Sequence, residues 1–417
     1  MLMRPGSVTC SLILLCMVSA CTVTETRPVV YQPAISAQTE VPEVKRLEIS
    51  IVEFEPGLAS DGSAGTKEFQ VPKEVREAEA RYMAFHLSAT LEKTAQWGPV
   101  RVVPASREGA EMTITGRINE STGEELNLHI KATDATNRVW LEKDYVGRAD
   151  SAAYADSQVL GRDPFQNVYN EVANDLVKRR NQLTQEELVG IERVAELRFA
   201  RDVSAAAFDG YLEEDRQGDY YVARLPAAGD PMLARVDAVR ERDYVFVDTL
   251  NEHYAEFAMR MQQPYNEWRR YTYDEIITLR ELESAARWRK LVGAMAVVGS
   301  VVLDSQTEST AGELGSSAML VGGIQLFSSG MQLGQQAKMQ AETIKELSAS
   351  FGQDIEPAVV QVAGETRRLE GTAATQFAEW QRLMREIYQA ETGFELPPEK
   401  VPSPRSGQSA EDWPSDR

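Results

Sequence analysis

The chain has 417 residues, with 64 Asp and Glu against 44 Lys and Arg, giving a formal net charge of -20. That balance argues against nucleic acid or anionic lipid headgroups as general partners. Length allows two or three domains, and three cysteines, Cys10, Cys16 and Cys21, all near the start, leave no disulfide framework for the rest.

The first residues read as an export signal. Arg4 supplies a positive n-region and Val8 to Val18 an apolar run, of signal-peptide length and too short for a bilayer span. Val18, Ser19, Ala20 and Cys21 follow, and the set resembles a bacterial lipobox: cleavage before Cys21, then lipid on its thiol. Ordinary secretion also suits Val18 and Ala20, but it leaves an unpaired thiol in an exported protein, which acylation accounts for. Two or more acyl chains make a stable anchor, where one does not. Thr22 stands where an Asp would suggest inner-membrane retention, so the resemblance implies an outer-membrane lipoprotein facing the periplasm. Residues 1–20 are then the signal, and 21–44, rich in Thr, Pro, Gln and Val, read as a flexible tether.

Residues 45–182 read as an α/β domain. In "RLEISIVEF", Leu47, Ile49 and Ile51 alternate with Glu48 and Ser50. A helix with Ala80, Ala84, Leu87 and Leu91 at helical spacing follows. Next come four strands: "PVRVVP", "EMTITGRI", "ELNLHIKATD" and "RVWLEKDYV". The third of these places Leu126, Leu128 and Ile130 inward and Asn127, His129 and Lys131 outward. "DATNR" reads as a hairpin turn, where Asn tolerates positive φ, and "PFQNVYNEVANDLVKRR" closes the unit as a helix. The order β-α-β-β-β-β-α, with "ISIVEFEP", "VRVVP", "EMTITGRI" and "LNLHIKATDATNRVW", resembles the N-terminal α/β domain of the Tol–Pal translocation protein. Curli-secretion lipoproteins and lipoprotein activators of penicillin-binding proteins share that fold. The resemblance implies a non-catalytic domain that binds envelope proteins or copies of itself.

Residues 183–394 read as a mostly α-helical domain, making the expected fold class α+β: a mixed α/β sandwich followed by helices. Thr184 and Glu187 are placed as a capping box, with Leu188, Ile191, Val194 and Leu197 on one face. Long helix is expected from about Met232 to Lys290, kinked or broken at Pro264. Trp268, Tyr271 and Tyr273 read as core and interface aromatics. Two apolar arms within 291–337 flank a polar turn, with Gly293, Gly299, Gly315, Gly322, Gly330 and Gly334 among their glycines. Glycine costs about 1 kcal/mol relative to alanine inside a helix, so its repetition implies close helix packing or membrane contact. Three arrangements suit the arms: a buried helical hairpin, an oligomer interface, or membrane insertion. The first arm is short for a span and Ser316, Ser317, Gln325, Ser328 and Ser329 interrupt the second, so full spanning fits least. A last helix carries Phe377, Trp380, Met384 and Ile387 on one stripe, and 395–417 read as a disordered tail.

Chemistry is sparsely signalled. His86, His129 and His253 share no ligand spacing, and no nucleophile elbow, phosphate loop or dinucleotide fingerprint occurs. No cofactor and no metal are expected. The sequence therefore leads to a lipid-anchored, non-enzymatic envelope scaffold with protein partners or self-association. A subunit of a secretion or transport channel is the alternative, and a carboxylate-based cell-wall hydrolase a remoter third.

Overall fold

A computed structural model describes residues 29–59, 64–65, 70–300, 335, 338–353, 356–362 and 365–392. The signal, the lipobox Val18 to Cys21, Gly315, Gly322, Gly330, Gly334 and the tail lie outside the described residues. The fold is mixed α/β, consistent with α+β: a five-stranded mixed sheet and several helices.

The sheet has the order β4-β1-β5-β6-β7. β1 (Ile49–Val52) pairs in parallel with both β4 (Val100–Val103) and β5 (Met112–Ser121). β5, β6 (Glu125–Asp134) and β7 (Val139–Arg148) form an antiparallel meander. A parallel neighbour requires a crossover, and α1 (Lys73–Lys93) supplies it between β1 and β4. A small hairpin, β2 (Ala64–Gly65) and β3 (Gln70–Val71), precedes α1. The five expected strands and two helices occur in the expected order, with the β2–β3 hairpin and the helix Ser151–Leu160 inserted among them. β6 alternates as read, with Leu126, Leu128 and Ile130 buried. Asn137 takes φ 71 in the β6–β7 turn, a left-handed position that asparagine tolerates.

α2 (Ser151–Leu160) and α3 (Gln166–Arg180) follow. α1 and α3 cover one sheet face, where Ile49, Ile51, Met112, Ile114, Leu128 and Ile130 meet Met83, Leu87, Val172 and Leu176 in one core. α4 (Gln185–Val203) starts with the capping box: Glu187 N donates to Thr184 Oγ1, and Thr184 N donates to Glu187 Oε2 at 2.8 Å. Its Leu188, Ile191, Val194 and Leu197 are all buried.

The second half is mostly helical, with two short hairpins among the described residues. After the short α5 (Ala205–Phe208), β8 (Leu212–Glu214) and β9 (Tyr220–Val222) form a hairpin. A second hairpin, β10 (Ala358–Val362) and β11 (Glu365–Leu369), precedes α8 (Ala373–Thr392). No break occurs at Pro264: α6 runs as one helix over Pro231–Ser300. α7 (338–351) returns beside it, with Gln340 Nε2 donating to Glu267 at 2.8 Å and Phe351 packing on His253, Tyr254 and Phe257.

The molecule thus has two poles. At one lie the β5–β6 turn, the start of α2 and α6 from Arg269 onward. A Cβ on Gly123 in that turn would strike the backbone of Arg269 and Tyr273, so only glycine permits the contact. At the other pole lie the β6–β7 turn, the start of α4 and the β8–β9 hairpin, joined where Tyr220 N donates to Thr136 O at 2.9 Å.

Candidate functional site

Among the lipobox and packing residues singled out in the sequence, only Gly293 and Gly299 fall in a described element, the last turns of α6. Instead the structure shows how the chain behind Cys21 meets the body. A free tether over 21–44 is not what the described part of it forms: Val29 to Ala37 lie extended along α3 as a strap. Asn167 accepts from Gln32 N at 2.8 Å and donates to Val30 O at 2.8 Å. Asn174 accepts from Ile35 N at 2.6 Å and donates to Pro33 O at 3.3 Å. Asn170 between them donates to Gln32 O at 2.7 Å. Spacings of three and four place these amides on one helix face, where each reads backbone rather than side chains. Val29 N donates to Asp150 Oδ2 at one end of the strap, and Ala37 N to Thr94 O at the other.

Beneath the surface, two buried ionic groups fasten the helices to the sheet. Glu48 and Ser50, on the polar side of the β1 alternation, are buried: Arg107 reaches both, and Tyr244 of α6 lies beside Glu48. Glu48 accepts from Arg101 at 3.1 Å and from Arg107. Arg107 also donates to Asp243 at 2.5 Å, and Trp380 donates to the other Asp243 oxygen at 3.0 Å. Arg101 pairs with Asp248, and both guanidiniums sit over the Tyr244 ring. Next to this group, burial pushes the Glu111 carboxyl up to about 7, with the Glu48 and Glu192 charges adding to it. Asn251 of α6 accepts from Val102 N at 2.9 Å, so α6 also occupies the β4 edge.

The second group centres on Arg269, fully buried in α6, whose Nη2 donates to Asp163 Oδ2 at 2.7 Å. Burial alone would raise Asp163, but Arg269, His86 and a bond from Phe165 N hold its pKa below the ordinary value. Tyr265 donates to Glu79 at 2.8 Å and Ser121 donates to the same oxygen at 2.7 Å. Burial raises Glu79 despite Arg76 beside it.

The surfaces left open are of two kinds. α6 covers the β4 edge, yet no strand lies beyond β7 among the described residues. This ten-residue edge exposes Val139 and Val146. Polar side chains of Asn127, His129, Lys131, Glu142 and Asp144 border it on the open sheet face, tied by His129 Nδ1 and Asp144 at 2.7 Å. At its Val139 end the edge runs into a groove of 930 Å³ at the second pole. Thr136, Arg138, Val189, Val194, Tyr221 and Leu225 help line it, and Tyr221 and Leu225 are exposed.

The other histidines serve packing. His86 bonds Gln166 at 2.9 Å, and burial lowers its pKa; His253 stacks on Phe351. Among the described residues no group of three His, Cys, Asp or Glu could hold a metal ion. No helix there is long and apolar enough to cross a membrane.

No known protein family, no curated protein and no solved structure matches the chain.

Proposed function

We propose that this protein is a lipid-anchored, non-enzymatic scaffold of the bacterial cell envelope. It is held to the outer membrane through Cys21 and faces the periplasm. In this reading residues 45–182 form the recruiting α/β unit resembling the Tol–Pal translocation N-terminal domain. Residues 183–394 form the helical unit, with the glycine-rich hairpin at 291–337 setting packing or membrane contact.

The observation that carries the binding role is the open β7 edge. A ten-residue strand with no neighbour on its outer side among the described residues is a template for an added strand, and natural proteins usually blunt or cover such an edge. The same molecule covers its other edge with α6. The groove beyond Val139 supplies an apolar pocket next to the edge, the usual arrangement when backbone pairing gives affinity and pockets give specificity.

Two measurements test this. Mass analysis and fractionation of the wild type and Cys21→Ser should find acyl mass on Cys21 and loss of anchoring in the variant. A photo-crosslinking residue at Val146 should give discrete protein adducts in intact cells, abolished by Val139→Lys. Absence of adducts at Val146, or adducts arising equally from exposed α6 positions such as Val245, would defeat the scaffold reading.

A further inference from the structure

Three chain crossings gather at one pole. The strap enters there, with Val29 bonded to Asp150. Next to Asp150, Ala149 N donates to Glu124 O at 2.9 Å, and Glu124 Oε1 accepts from Arg280 Nη1 at 2.9 Å as α6 leaves the body. Tyr154 donates to Gly123 O at 2.5 Å and packs on Tyr273 with ring centroids 5.3 Å apart. α7 re-enters the body on this side, where Gln340 meets Glu267. The chain behind Cys21 and the chain flanking the apolar arms therefore share one exit.

Their reaches agree. α6 is helical to Ser300, so at 1.5 Å per residue the apolar stretch starting at Leu291 begins about 16 Å beyond Arg280. Cys21 lies eight residues before Val29, a leash of at most about 28 Å. A lipid on Cys21 and the start of the apolar arm can thus meet the same surface. Nothing in the net charge of -20 would draw the body to anionic headgroups, so orientation must come from these attachments.

We infer that this pole, formed by the β5–β6 turn, the start of α2 and α6 near Arg280, faces the membrane. The α4/β8–β9 groove at the opposite pole then points away from it. This rests on the lipid-anchor reading, so the test supplies the lipid independently. The chain from Cys21 onward has that one cysteine. It is coupled to a maleimide-bearing lipid in phosphatidylcholine vesicles that also carry an acceptor dye on their headgroups.

A donor is placed through a non-cysteine amino acid at Arg148, beside the first pole, or at Leu225, beside the groove. Energy transfer from Arg148 should exceed that from Leu225 several-fold, because the ten-residue strands separate the poles by about 30 Å. Equal transfer, or stronger transfer from Leu225, would overturn the inference. Donors at Glu125 and Glu214 repeat the comparison should either labelled chain misfold. Because the lipid is coupled chemically, failure here is separate from failure to find acyl mass on native Cys21.

Discussion

Arg269 and Asp163 show what a single buried pair contributes. The Arg269 side chain is 0% exposed and that of Asp163 2%, so removing one charge strands the other away from water. Arg269→Ala should lower stability by about 3–5 kcal/mol, read as a fall in denaturation midpoint. The folded pKa of Asp163 is depressed; its contribution is present above the unfolded value and is lost as pH falls through the folded one. Glu111 has the opposite sign. Its carboxyl is raised to about 7, so its contribution is full below the unfolded value and is lost as pH rises through about 7. That difference corresponds to about 3–4 kcal/mol. Glu111→Gln keeps an oxygen for Glu48 N and cannot ionise, so it should match the wild type at pH 4.5 and exceed its melting temperature at pH 8. A wild-type curve parallel to the variant's between those values would refute the assignment. Neither group was legible in the sequence, where Arg269 and Glu111 look like any of the chain's many charges. Only the tertiary fold decides which of them loses water.

At the scale of elements, period-two alternation made the sheet readable because one face of β5, β6 and β7 is apolar and the other polar. In β1 the alternation holds, yet Glu48 and Ser50 are buried too, since a polar face can be buried when charges from another element meet it. The β8–β9 and β10–β11 hairpins are too short, at three and five residues per strand, for alternation to separate them from loop. The strap escaped for another reason: Asn167, Asn170 and Asn174 look like a solvated helix face, and its other half is a Pro- and Gln-containing stretch without periodicity. Its spacing of three and four was the available signal. Asn167→Ala with Asn174→Ala removes four backbone-directed bonds. The Gln32 and Ile35 amides should then exchange with solvent at least tenfold faster, while the sheet amides keep their protection. Unchanged exchange would mean the strap is held by packing alone. Gly123→Ala should act differently, pushing the β5–β6 turn off the α6 backbone and lowering the global melting temperature.

Across the whole molecule, composition shifts suggested an α/β unit followed by a helical one, but the contacts between them have the character of an interior. Arg107 of the sheet half meets Asp243 and, through it, Trp380 of the helical half. Asp163 meets Arg269, and the apolar core runs without interruption from Ile49 to Tyr388. Charges buried in such a seam lose their partners if either half unfolds alone, at a cost of about 3–5 kcal/mol for each broken pair. Partial unfolding is therefore less favourable than complete unfolding. Calorimetry should show one transition, with calorimetric and van't Hoff enthalpies equal. Trp140 in β7 and Trp380 in α8 should report the same midpoint. Asp243→Ala leaves Arg107 with Glu48 alone and Trp380 without its acceptor, and should lower both reporters' midpoints together. Two resolved transitions, or a shift confined to Trp380, would mean that the seam does not couple the halves. The anchor and the binding surface would then belong to bodies free to move apart. If the coupling holds, the membrane-facing pole and the distant groove are fixed to one rigid frame, and orienting the first orients the second.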